Sequence, residues 1–198
     1  MDERQLSQPL REESVAAPRR KWDGVAAVIA AFVGLLALFV SGYTAYILHQ
    51  QVRAQVWPYL EAGNDDGNRS IYVYNKGVGP AIVKSVQVRI DGKPQTTWAN
   101  VLIALGVPPH DYVQSTLNPG VISAGEQVRA IGIKDEERWK AFRNGAVERM
   151  TMDICFCSTL DECWMYSDQH PVGYKGITQL VRPVDQCPRL PEAEIFVN

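Results

Sequence analysis

Residues 147–167 read Val-Glu-Arg-Met-Thr-Met-Asp-Ile-Cys-Phe-Cys-Ser-Thr-Leu-Asp-Glu-Cys-Trp-Met-Tyr-Ser. Successive side chains on a strand point to opposite faces. Met150, Met152, Ile154 and Phe156 therefore share one face, and Thr151, Asp153, Cys155 and Cys157 share the other. The first set is apolar and belongs against a core. Val147 to Cys157 is expected as the longest strand of the chain, Ser158 to Glu162 as a hairpin loop, and Cys163 to Ser167 as the returning strand.

The pattern extends upstream. Ile82 to Ile90 puts Val86, Val88 and Ile90 on one face and Gln87 and Arg89 on the other, and Asp91-Gly92 supplies a turn. Trp57 to Ala62, Ile71 to Tyr74, Tyr112 to Leu117 and Gln127 to Ile133 read as further short strands, the first followed by a loop at residues 63–68. Trp98, Val101, Leu102 and Leu105 recur at helical spacing, with Thr96 or Thr97 as cap and Gly106 with Pro108-Pro109 as stop. Asp135 caps a second short helix that carries Trp139 and Phe142 and ends at Asn144-Gly145. Many short strands separated by turns predict a mainly β domain: an antiparallel, Ig-like β-sandwich with one or two short inserted helices. Asn75-Lys76-Gly77-Val78-Gly79-Pro80-Ala81 joins two strands. It lacks the Gly-Lys-Ser/Thr signature and the following helix of a phosphate loop, so its glycines are expected to permit a tight passage between strands.

All four cysteines, Cys155, Cys157, Cys163 and Cys187, lie in this half. The hairpin favours Cys157 with Cys163, which leaves Cys155 with Cys187 and pins a proline-rich tail onto the sheet. Four cysteines allow three connectivities, and spacing does not choose among them. A zinc or copper(I) site is the sharper alternative for Cys-x-Cys with two further cysteines. The spacing lacks paired Cys-x-x-Cys, and Met150 and Met152 fall on the wrong face, so no metal is expected. Without Cys-x-x-Cys, a thiol-exchange catalyst is not expected either.

Ahead of the β half lies Val25 to Leu48, VAAVIAAFVGLLALFVSGYTAYIL, without one Asp, Glu, Lys or Arg. At about 1.5 Å per residue it spans about 36 Å as a helix, against a hydrocarbon core of about 30 Å. Tyr43 to Leu48 extends the apolar run past Val40-Ser41-Gly42, the one stretch resembling a signal-peptidase site, which favours an uncleaved anchor. Arg19, Arg20 and Lys21 precede the span and Arg53 alone follows it closely, which predicts a cytoplasmic N-terminus. The expected organisation is a disordered tail at 1–21, a transmembrane helix at 22–48, a helical stalk at 49–56 and an extracytoplasmic domain at 57–198. Ala26, Ala30, Gly34 and Gly42 recur at multiples of four and form a candidate helix-association face.

The composition is that of a folded chain: 198 residues, 46% hydrophobic, with 20 Lys and Arg against 22 Asp and Glu. A net charge of −2 argues against a nucleic-acid partner. No catalytic constellation stands out. His49 lies in the stalk, His110 and His170 in loops, and Asp168 near His170 lacks a nucleophile motif. Asp161 and Glu162 sit at a hairpin tip, where solvated acids are ordinary.

Trp57-Pro58-Tyr59-Leu60-Glu61, the Asn75 to Ala81 segment and Ile154-Cys155-Phe156-Cys157-Ser158…Glu162-Cys163-Trp164 together resemble a group of uncharacterised bacterial single-span envelope proteins. The resemblance covers most of the outer half. It implies a bacterial inner membrane, a periplasmic domain and no catalytic residues. The expected function is a membrane-anchored, non-enzymatic interaction or assembly module, a subunit or accessory of a membrane complex. Its partners are the lipid bilayer, a membrane or envelope protein, and a second copy through the Gly34 row. The alternative is a periplasmic ligand or metal sensor built on the Cys155 to His170 region.

Overall fold

The computed structural model describes residues 20–168 and 180–197, with side chains from Trp22 onward. It separates into two units, residues 1–48 and 49–198. Helix α1, Arg20–Gln55, is continuous through the apolar run and the expected stalk. It is long and apolar enough to cross a membrane, and every side chain from Trp22 to Gln55 is exposed. Of the expected tail, residues 1–19 lie outside the described residues, and Arg20 and Lys21 already belong to the helix.

The second unit is mainly β and its sheets are antiparallel. Strands β1 (Leu60–Asp65), β2 (Ser70–Asn75), β7 (Gln127–Ile133) and β5 (Tyr112–Gln114) form a four-stranded sheet in the order β1-β2-β7-β5. The other sheet runs β10-β9-β8-β3-β4, from β10 (Val181–Val184), β9 (Cys163–Ser167), β8 (Met150–Cys157), β3 (Ala81–Ile90) and β4 (Lys93–Gln95). Strand β6 (Gly120–Ile122) pairs with the start of β3. One apolar cluster draws on both sheets, with Val73 and Ile131 from one and Val86, Met152, Ile154 and Phe156 from the other. Helices α2 (Trp98–Ala104) and α3 (Glu136–Arg149) add Trp98, Leu102, Trp139 and Phe142 to it.

Local chemistry explains the caps. Thr97 accepts the Asn100 N–H, and Asp135 accepts the Arg138 N–H, each satisfying a donor with no partner inside its helix. Asp91 and Gly92 take φ of 50° and 75°, as the tight β3–β4 turn requires.

Several expected boundaries move. α3 continues through Asn144-Gly145 to Arg149, so residues 147–149 are helix and β8 begins at Met150. Gly145 does not stop it, because that glycine lies against Leu105 and Ala146 is buried. β3, with ten residues, is therefore the longest strand among the described residues. β5 ends at Gln114 rather than Leu117, and β1 begins at Leu60 rather than Trp57. β4, β6 and β10 lie outside the strands that the sequence pattern predicts. β10 contains Pro183, which an edge strand tolerates because one side of its backbone needs no ladder bond.

Candidate functional site

Two regions fasten chain segments to the β unit. The first receives the chain as it leaves α1. Asn75 closes β2, is buried, and uses its whole amide. Its Nδ2 donates to the carbonyls of Gly79 (2.8 Å) and Ile122 (2.9 Å), and its Oδ1 accepts the N–H groups of Tyr59 (3.2 Å) and Gly77 (3.0 Å). The Trp57 carbonyl accepts from Val78 (3.0 Å) and Gly79 (3.1 Å), and the Tyr59 carbonyl accepts from Lys76 (2.8 Å). The glycines are dictated by proximity. A Cβ on Gly77 would lie 2.5 Å from the Trp57 carbonyl oxygen, and one on Gly79 would lie 2.2 Å from the Val56 carbonyl carbon. The Asn75 to Ala81 segment thus serves as a socket for residues 56–59, a role that spacing within the segment does not disclose.

Beside this socket, the outward face of the four-stranded sheet carries an aromatic and charged cluster. The register sets Glu61 beside Tyr74 and Tyr72 beside Arg129. Arg129 donates from Nε to the Tyr72 hydroxyl at 3.1 Å and lies over its ring at 5.6 Å. Tyr72 and Tyr74 are 6.0 Å apart, and Trp57 and Tyr59 are 5.6 Å apart. Lys76 bonds Glu61 at 2.7 Å, which raises the lysine above its ordinary pKa. The sequence showed Tyr72 and Tyr74 on a strand; their apposition to Arg129 depends on the β2–β7 pairing, which no local pattern encodes.

The second region fastens the chain's end. Comparison of the chain with protein-family models, curated proteins and solved structures finds no match. Cys155 and Cys187 are joined at an S–S distance of 2.05 Å, and Cys157 and Cys163 at 2.10 Å. Cys155 and Cys157 point away from the Ile154 and Phe156 face, yet both are buried; the Cys187 sulfur reaches them from the C-terminal segment. A second tether lies beyond. Phe196 is buried edge-on against Trp98 at 5.1 Å, its N–H donates to the Val86 carbonyl (3.1 Å), and the Val197 N–H donates to Thr96 (2.8 Å).

A cavity of about 530 Å³ opens beside the cystines, with Lys84, Asp161, Asp185 and Arg189 in its wall. At the hairpin tip Glu162 pairs with Arg53 at 2.5 Å. The Cys157, Cys163 and Cys187 sulfurs lie within 4.8 Å of one another. A metal would need them as thiolates, whereas each is spent in a disulfide bond.

The residues weighed for catalysis are scattered. His110 is exposed, and its ring pairs with its neighbour Asp111 at 2.9 Å. Asp168 accepts the Met152 N–H at 2.7 Å. His170 lies outside the described residues. On α1, Ala26, Ala30, Gly34 and Gly42 are all exposed, and a Cβ on either glycine would touch nothing.

Proposed function

We propose that the chain is a single-pass membrane protein whose residues 57–198 form an Ig-like β-sandwich outside the cytoplasm, acting as a non-enzymatic interaction or assembly module for a membrane complex. In this reading α1 is the anchor, the N-terminus is cytoplasmic and the membrane is the bacterial inner membrane, in line with the resemblance to envelope proteins. The length and apolar character of α1 support the anchor. Two cystines support the compartment, since disulfides persist where the surroundings are oxidising. The Gly34 row offers a place for a second helix.

The observation that carries the interaction role is the outward sheet face on which half-buried Tyr74 and exposed Arg129 flank Tyr72, itself only 7% exposed. Tyrosine and arginine dominate binding energy at protein interfaces because they bury large area and still place a polar group. The socket at Asn75 leaves no slack chain between residue 56 and this face. The partner is a protein of the same membrane. A photo-crosslinking residue in place of Tyr74, in full-length protein in native membranes, should give one adduct of fixed mass. The same probe at the exposed Glu148 of α3 should give none. Equal labelling at both positions, or neither labelled and the detergent-extracted protein monomeric, overturns the proposal.

The sensor reading is favoured by one observation, the clustering of three cysteine sulfurs. Thiol counting in protein from oxidising cells separates the two. Four titratable thiols with stoichiometric metal support the sensor, and none supports the module.

A further inference from the structure

The two cystines are closer to each other than their separate structural roles require. The Cys157 and Cys187 sulfurs, which belong to different disulfides, are 3.8 Å apart. Neither carries a proton, so no hydrogen bond explains the contact. They are also unequally reachable. Cys155 and Cys157 are 0% and 2% exposed, whereas Cys163 and Cys187 are only half buried.

We propose that the cystines form an exchange pair that takes a dithiol as its reactant and passes a disulfide inward, from Cys157–Cys163 to Cys157–Cys187. A thiolate of the dithiol attacks the accessible Cys163 sulfur. The Cys157–Cys163 bond breaks, a mixed disulfide forms on Cys163, and Cys157 leaves as a thiolate. That thiolate is released in a buried setting with little water to stabilise it, in contact with the Cys187 sulfur. It attacks there; the Cys157–Cys187 bond forms and Cys155 leaves with the electron pair. The dithiol's second sulfur then displaces Cys163 and closes a cyclic disulfide. The two protons the dithiol has lost end on Cys155 and Cys163, so the protein gains two hydrogens and the dithiol is oxidised by two electrons. Exchange by thiolate attack on a disulfide sulfur is ordinary sulfur chemistry. What this protein adds is the placement of nucleophile and target, which makes the second step intramolecular.

The cavity beside the sulfurs gives the dithiol its approach; its wall sets Lys84 and Arg189 against Asp161 and Asp185, so access and not net charge brings the thiolate to Cys163. The tail stays fastened throughout, because Cys187 changes partner without being freed. The inference stands apart from the interaction role; a module without a partner would still exchange, and the crosslinking result does not bear on it.

The test uses full-length protein in detergent and limiting dithiothreitol as the dithiol. Samples are quenched in acid at intervals, free thiols are blocked, and labelled and disulfide-linked peptides are mapped by fragmentation. Label is expected on Cys155 and Cys163 together, with a Cys157–Cys187 linked peptide making up a share of the reacted protein that does not change with protein concentration. The doubly substituted C157S/C163S protein keeps only Cys155–Cys187. Its Cys155 should be labelled at least about tenfold more slowly, because the internal nucleophile is gone. Label confined to Cys157 and Cys163, a hairpin that does not open, or equal Cys155 labelling with and without Cys157 overturns the proposal.

Discussion

The β unit receives its chain and releases it through two anchors of opposite construction. At the incoming end, residues 56–59 are held by backbone hydrogen bonds to a loop whose glycines remove every side chain that would stand in the way. At the outgoing end, residues 187–197 are held by a covalent bond and a buried ring. The first anchor is close fitting and contains no cysteine. The second adds to the packing of Phe196 a disulfide, which keeps its ends together whatever surrounds them and is reversible. The comparison assigns steric sensitivity to one end and chemical sensitivity to the other.

The largest effect is expected where the incoming anchor loses its hub. Asn75→Ala removes four hydrogen bonds at once and leaves buried N–H and C=O groups without partners. At about 1–3 kcal/mol for each buried group left unsatisfied, and with incomplete additivity, about 4 kcal/mol should be lost. Gly79→Ala should follow, at the upper end of the about 1–3 kcal/mol typical of overpacking, because the added methyl meets backbone that cannot rotate aside. Urea unfolding of the full-length protein in detergent, followed by tryptophan fluorescence, measures both. A Gly79→Ala protein as stable as wild type would mean that the socket gives way easily, and the contrast between the ends would collapse.

At the outgoing end the two tethers can be cut separately. Phe196→Ala empties a fully packed site beside Trp98 and should cost about 3 kcal/mol or slightly more. The cystines should rank by the chain they enclose. With separations of 32 and 6 residues, the chain-entropy relation gives about 3.7 kcal/mol for Cys155–Cys187 and about 2.2 kcal/mol for Cys157–Cys163. Paired alanine substitutions and the same unfolding assay check the order. A reversed order would show that the hairpin cystine acts in the native state and not through the unfolded chain.

Legibility differed between these ends for a physical reason. Alternation at residues 150–157 and 82–90 exposed the strands, the core face and the short hairpin, because each is encoded within a few consecutive residues. The apolar run of α1 was equally plain. The role of Gly77 and Gly79 was not, since it depends on residues 56–59 arriving from outside the loop. α3 overran Asn144-Gly145 because packing against Leu105 outweighs the weak helix propensity of those two residues. The Cys157–Cys187 approach depends on where the C-terminal segment crosses the sheet, and prolines in a sequence announce only that it is not a central strand. The aromatic face needed the pairing of β2 with β7, which lie more than fifty residues apart.

The smallest expected effect comes from an ion pair that belongs to neither anchor. Arg149 holds Asp91 with Nη2 at 2.6 Å and Nε at 3.0 Å, joining the end of α3 to the β3–β4 turn. The Arg149 hydrogen bonds hold the Asp91 carboxyl below its ordinary value. A carboxylate whose pKa is depressed by folding stabilises the native state at pH above its unfolded value, about 3.9, and loses that contribution as pH falls toward and through the folded value. The pair is solvent exposed, so the effect should be slight and weaker in high salt. Asp91→Asn should therefore lower Tm by a small, constant amount from pH 7 down to about pH 5, and the gap to wild type should close below about pH 4. Neither anchor depends on Asp91, so the variant should keep both cystines and the environment of Trp98. A gap that persists unchanged at pH 2 would assign the turn's stability to its backbone geometry, where Asp91 has φ of 50°, and not to the charge on its side chain.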